Sequence, residues 1–163
     1  MNDNLAFKNE TLQEVEKIRE KYPLVNSAIL PVLYLAQKEF GYISEEVISY
    51  LAELLGVAPT RIKETATFYT MYNKKQVGEY LIQVCHNLTC TMMGAESLVE
   101  HIKEKLGITV GETTSDGKFS LIEVECLGAC GTAPVMQIND DYHESLTSEK
   151  VDSILEELKK KSN

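Results

Sequence analysis

The four cysteines of this chain, Cys85, Cys90, Cys126 and Cys130, constrain its fold and chemistry more than any other feature. They are its whole cysteine complement, and they stand in two pairs. The first pair lies in "VCHNLTC", from Val84 to Cys90, with four residues between the sulfurs. The second lies in "VECLGACGTAPVMQIND", from Val124 to Asp140, with three residues between the sulfurs, just after a run of strand-forming residues. A chain of 163 residues can bury a sufficient core without cross-links. The segment "MNDNLAFKNETLQEVEKIREKY" has no apolar signal-peptide core, so a cytoplasmic location is expected. Thiols stay reduced there, and two disulfides are a poor use for four cysteines. Metal ligation or redox chemistry is the expected use.

Composition narrows the partners. Apolar residues make up 44 % and charged residues 25 %, as in ordinary globular proteins. The net charge of −9 repels phosphate backbones and anionic lipid, so neither nucleic acid nor a membrane surface is an expected partner. The longest apolar run, "AILPVLYLA", falls far short of the ~20 residues that span a bilayer. A protein partner with a basic or mixed face fits better.

Residues 1–76 read as a helical bundle. Leu12, Val15, Ile18 and Tyr22 recur at helical spacing, with Asn9 or Thr11 as the expected cap and Pro23 as the stop. A second helix is expected from Asn26 or Ser27, with Pro31 near its first turn and Gly41 at its C-terminal cap. Ser44 is placed to cap a third helix, whose first turn holds Glu45 and Glu46 and which Gly56 ends. Pro59 opens a fourth, "PTRIKETATFYTMY", in which Phe68, Tyr69 and Tyr72 have core spacing. The pair joined by "GVAP" resembles a DNA-reading helix-turn-helix only in outline, because Arg61 and Lys63 are the only cations its second helix offers.

The composition shifts at "NKKQVGE", and residues 77–163 then read strand, helix, strand, strand, helix. "EYLIQVC" and "APVMQIN" are expected strands. "TSDGKFSLIEVEC" turns at Asp116-Gly117 into another. "GAESLVEHIKEKLG" and "TSEKVDSILEELKKK" are amphipathic helices, the second capped by Thr147. The expected class is α+β, and a thioredoxin-like sandwich is one natural solution for this order. Cys85 then ends a strand, Cys90 lies in the loop before a helix, Cys126 ends a later strand, and Cys130 lies in a Gly-rich loop. All four fall where strand ends cluster on one rim of a sheet.

Four thiolates around one centre serve zinc or an iron–sulfur cluster. Structural zinc favours two-residue gaps. Gaps of four and three suit a wider rhomb in which each pair holds one iron, and thirty-five residues separate Cys90 from Cys126, unlike plant-type ferredoxins. Spacing alone leaves [2Fe–2S], zinc and a redox dithiol open, although no C-x-x-C is present to favour the last. Gly128 and Gly131, with Ala129 and Ala133, let backbone N–H groups approach sulfur, and Gly94 is placed to do the same after Cys90. His86 reads as a solvated loop residue beside Cys85. Thr89, Thr91, Met92 and Met93 read as a shield or a partner-facing surface. No paired carboxylates, activated nucleophile or phosphate-cradling loop stands out, so no catalytic residue is assigned.

These motifs, "ATFYTMYNKKQVGEY", "VCHNLTC" and "GETTSDGKFSLIEVECLGACGTAPVMQIND", resemble those of the E-type [2Fe–2S] subunit family of NADH-quinone oxidoreductase (respiratory complex I). The same family includes the corresponding subunits of NAD-linked soluble hydrogenases and formate dehydrogenases. The resemblance runs from about Ala28 to the final helix. It implies an N-terminal helical bundle (1–76) followed by a thioredoxin-like [2Fe–2S] ferredoxin domain (77–163). It implies one [2Fe–2S] cluster held by Cys85, Cys90, Cys126 and Cys130. It also implies a flavoprotein partner that carries FMN, NADH and a [4Fe–4S] cluster, inside a larger oxidoreductase peripheral to the inner membrane. Pro134 falls where thioredoxin-like folds often place a cis proline.

Overall fold

The computed structural model describes residues 5–161 and divides into two compact units, Met1–Gln76 and Val77–Asn163. In the first, four helices follow one another: α1 Asn9–Lys21, α2 Val25–Phe40, α3 Glu45–Leu55 and α4 Pro59–Phe68. Their apolar stripes meet in one core that includes Val15, Ile29, Leu33, Leu51 and Ile62. The Ser44 hydroxyl accepts a hydrogen bond from the Val47 N–H at 3.2 Å, and Gly56 closes α3 with φ +66°. Both ends of α3 are therefore set by residues whose local chemistry is legible in the chain.

Three helical expectations are corrected. Neither Asn9 nor Thr11 caps α1. Both lie inside it, Lys8 is the N-cap, and the Lys8 N–H donates to Glu39 Oε1 at 2.7 Å. The second helix starts at Val25, so Pro31 sits beyond its first turn, in the helix interior. Its ring leaves the Ser27 carbonyl without its usual donor, and Ser27 is solvent-exposed, where that loss costs least. The fourth helix ends at Phe68, and Tyr69 is extended. Tyr72 alone of the three aromatics is buried, with its hydroxyl donating to the Leu30 carbonyl at 2.8 Å. Phe68 is 78 % exposed and Tyr69 is also exposed.

The second unit is a four-stranded sheet of order β2-β1-β3-β4, from β1 Tyr80–Cys85, β2 Phe119–Val124, β3 Met136–Ile138 and β4 Asp141–His143. β1 runs parallel to β2 and antiparallel to β3, and β3 and β4 form a hairpin. The helices are α5 Leu88–Met92, α6 Ala95–Leu106 and α7 Ser148–Lys160. A parallel β-α-β half followed by an antiparallel β-β-α half is the thioredoxin-like arrangement. Leu98, Val99 and Ile102 of α6 and Val151 and Leu155 of α7 pack on Ile82, Val84, Leu121 and Met136 of the sheet. Thr147 caps α7 by accepting from the Lys150 N–H. Between α6 and α7, Asp152 accepts from His101 at 2.7 Å and pairs with Lys105 at 3.0 Å. Lys105 first, and His101 second, hold its carboxyl below the usual range. The Ala133–Pro134 peptide bond is cis.

Two elements of this unit differ from the sequence reading. "DYH", which the strand, helix, strand, strand, helix reading leaves without an element, is the edge strand β4, and the turn before it is made by Asn139 with φ +53°. "LTCTM", expected as a loop, is the single-turn helix α5, capped by Asn87. The start of β1 is pinned by Gly78, whose N–H donates to the buried Ser120 hydroxyl at 2.7 Å. A Cβ there would stand 2.8 and 2.9 Å from the Phe119 backbone. Gly78→Ala is expected to destabilise the chain by about 1–3 kcal/mol, because backbone at the entry of the β1–β2 pair must give way. Thermal unfolding measures this directly, and an unchanged melting temperature would show that the strand entry is not tightly packed.

Candidate metal centre

The end of β1, helix α5 and the segment after β2 carry all four cysteines. Cys85 is the last residue of β1, paired with Val124 of β2, and its N–H donates to the Val135 carbonyl at 3.1 Å. Cys90 is buried on the inner face of α5 rather than in a loop. Cys126 lies two residues beyond the end of β2, not at its last position, and Cys130 opens a short 3₁₀ turn, Cys130–Thr132. Cys85 and Cys90 are 2 % and 3 % exposed, whereas Cys126 and Cys130 face solvent. None of the four is in a disulfide.

The sulfurs approach one another in pairs. Cys126 Sγ and Cys130 Sγ are 3.5 Å apart. Two thiolates on one tetrahedral metal, with bonds of about 2.3 Å, stand about 3.8 Å apart, so this pair is already close to the geometry one iron needs. Cys90 and Cys85 share one buried core cluster, and the Cys85 and Cys130 thiols both lie within electrostatic reach of the Cys90 thiol. Cys130 in turn feels both Cys126 and Cys85. Among the described residues, no three His, Cys, Asp or Glu side chains close on the position of a single ion. Four thiols at one rim, with the outer two already close to the spacing one iron needs, are a donor set that fits a [2Fe–2S] cluster.

Individual donors favour negative sulfur, while burial and neighbouring thiols oppose it. The Gly128 N–H donates to Cys126 Sγ at 3.4 Å, and Gly128 has φ +79°, a conformation that glycine adopts at little cost. Thr89 beside Cys130 and the Val135 backbone beside Cys90 each favour the thiolate, but are outweighed. Gly94 plays no such part, because its N–H donates to the Thr91 carbonyl. Without metal, burial, followed by the Cys85 thiol, pushes Cys90 up from the ordinary thiol range. The hydrogen bond from Cys126 is the largest of the effects that push Cys130 up. Metal must displace those protons on binding. His86 is not drawn towards the sulfurs. Its Nε2 lies 3.7 Å from Glu125 Oε1, and Asn87 Nδ2 donates to Glu125 Oε2 at 2.8 Å.

One feature of the site is only partly legible in the chain. On α5, Leu88 and Met92 are one turn apart and point opposite to Cys90. Leu88 is 73 % exposed and Met92 78 %, and Met93 is exposed beside them. The sequence marks the methionines as a shield or partner surface. It does not mark Leu88, because only a helix puts that residue beside Met92.

A mixed sheet of order 2-1-3-4 with two cysteine pairs at one rim defines a thioredoxin-like iron–sulfur protein. Comparison with known proteins agrees. The family model described as "Thioredoxin-like [2Fe-2S] ferredoxin" matches residues 15–159. The E-type subunit of the NADH-quinone oxidoreductase of Rickettsia bellii is 48 % identical over 159 residues, covering 96 % of this chain and 95 % of that one. The E-type subunit numbered 2 of the Rhizobium meliloti NADH-quinone oxidoreductase is 44 % identical over 147 residues, covering 90 % and 88 %. Among solved structures, a chain of an NAD+-reducing [NiFe]-hydrogenase in the air-oxidized state superposes with a TM-score of 0.71. That superposition is at 21 % identity and covers 80 % of this chain and 22 % of the other, so it speaks for the fold. The chain belongs to the thioredoxin-like [2Fe–2S] ferredoxin family, in company with the E-type subunits of NADH-quinone oxidoreductases. Its cofactor is a [2Fe–2S] cluster. No described helix is long and apolar enough to cross a membrane.

Proposed function

We propose that this chain is the electron-transfer subunit of an NADH-quinone oxidoreductase, holding one [2Fe–2S] cluster on Cys85, Cys90, Cys126 and Cys130. In this reading it exchanges single electrons with the FMN of an NADH-binding flavoprotein subunit that also carries a [4Fe–4S] cluster. The assembly would sit peripherally on the inner membrane, with this chain contributing no catalytic residue of its own. The observation that carries the ligand assignment is the pairing of all four thiols at one rim of the sheet, with Cys126 and Cys130 3.5 Å apart. The relatives, 44 % and 48 % identical over nearly their whole length, support the choice of complex. A soluble NAD-linked hydrogenase or formate dehydrogenase is the other assembly the family serves. The hydrogenase likeness is one of fold only.

When bound, the cluster supplies a centre that takes up or gives back one electron at a time. The protein's part is to hold and shape the sulfurs. Val84, Ala95 and Leu98, in one buried cluster with Cys85 and Cys90, keep water from the inner pair. The Gly128 N–H donates to Cys126 of the outer pair, which favours added negative charge there. Leu88 and Met92 turn an apolar face outward from the helix that holds Cys90, so a partner seated there lies within a few residues of the sulfurs. Mixed anaerobically with the flavoprotein subunit, the loaded chain is expected to lose visible absorbance on addition of NADH. No bleaching should occur with NADH alone. Bleaching that needs no flavoprotein, or none when it is present, would refute the proposed electron route.

A further inference from the structure

The two cysteine pairs differ in access. Cys126 and Cys130 are open to solvent, whereas Cys85 and Cys90 are shut inside the core. The outer sulfurs are 3.5 Å apart and need to close by about 1.5 Å to reach a disulfide bond length. The loop between them has room to do so. Gly128 inside it and Gly131 just after it have nothing within 4 Å of the position a Cβ would take, and Ala129 inside it is small. The inner pair has no such freedom, since β1 and α5 hold it against Val84, Ala95 and Leu98.

We propose that Cys126 and Cys130 form a reversible disulfide in the cluster-free chain, and that this bond gates cluster loading. The oxidant is a low-molecular-weight disulfide such as oxidised glutathione. One outer sulfur attacks it, forming a mixed disulfide and releasing one small thiol. The second outer sulfur then attacks the mixed disulfide and releases the other small thiol. The two protein thiols give up two electrons and two protons, and the small disulfide takes both to become two thiols. The closed bond consumes two sulfur donors, so iron has only the buried pair until a reductant reopens the outer one. Cys85 and Cys90 stay reduced throughout because the oxidant does not reach them. The gate rests on the four-cysteine ligand assignment. The disulfide does not.

The test starts from the loaded full-length chain, stripped of iron by a chelator under anaerobic conditions at neutral pH, with retained helix and sheet confirmed by circular dichroism. Oxidised glutathione is added, remaining thiols are alkylated after denaturation, and the products are mapped by mass spectrometry. The expected product has lost about two mass units, is linked between Cys126 and Cys130, and is alkylated at Cys85 and Cys90. Cys126→Ser and Cys130→Ser should each retain one glutathione instead. Given ferrous iron and sulfide without thiol, the oxidised chain should take up less than about a tenth of the iron that the reduced chain does, and dithiothreitol should restore uptake. Stable double glutathionylation, a bond that involves Cys85 or Cys90, or a stripped chain that unfolds and scrambles its thiols would overturn the proposal. A correct disulfide with undiminished iron uptake would overturn the gate and the ligand assignment together. Absence of the disulfide, with cluster loss in Cys126→Ala, would overturn the disulfide and the gate and leave the ligand assignment standing.

Discussion

Cys126→Ala and Cys130→Ala are each expected to purify colourless, with less than about a tenth of the parent's iron, while the fold survives. Each removes one of two protein sulfurs from an iron, and a tetrahedral site with a missing thiolate is opened to water and exchange. The fold should survive because neither residue belongs to the core. Both are exposed, beyond the last residue of β2 and before β3. The inner pair makes the contrast. Cys85→Ala and Cys90→Ala should also lose iron, but each removes a buried sulfur packed with Val84, Ala95 and Leu98, at a further cost of about 1–2 kcal/mol in stability. Iron content and thermal unfolding, measured on the same four variants, separate ligand loss from core damage. Parent-like iron in either outer variant would remove that residue from the ligand set.

The second large effect concerns docking. Leu88→Glu combined with Met92→Glu is expected to weaken binding to the flavoprotein subunit about a hundredfold or more, with the cluster unaltered. The two side chains lie on one stripe of α5 and are mostly exposed, so glutamates there cost the isolated chain little. In a closed interface the same glutamates lose water without a partner, and apolar anchors of this kind cost about 1–2 kcal/mol each when lost, or about fivefold to thirtyfold apiece in affinity. Titration calorimetry with the flavoprotein measures it. A dissociation constant within about threefold of the parent's would place the docking face elsewhere on the chain.

Much of this architecture can be read from the chain, and the failures share a cause. Ser44, Gly56, Thr147 and Gly107 act within one turn of their own residue, so their capping roles are visible without tertiary information. Cys85 at the end of β1 follows from the β-branched and aromatic run before it. Helix α5 escapes notice because five residues give no period to detect, and its one signal is Asn87 as a cap. That hides the Leu88–Met92 stripe. Strand β4 is equally hidden, because three polar residues at a sheet edge pair only when β3 is already in place. Phe68 and Tyr69 have the spacing of core residues, yet α4 ends between them and both are exposed. Periodicity records which residues share a face, but not whether anything covers that face. The closeness of Cys126 and Cys130 is likewise a product of the loop, since Gly128 must take positive φ to turn its N–H onto sulfur.

Low-temperature electron paramagnetic resonance of the anaerobically purified, dithionite-reduced chain, with iron quantified on the same sample, probes the metal centre itself. A rhombic spin-half signal with about two irons per chain is the expected result. A colourless, iron-free preparation with no signal, still able to pair with the flavoprotein and sustain NADH oxidation at full rate, would contradict the account.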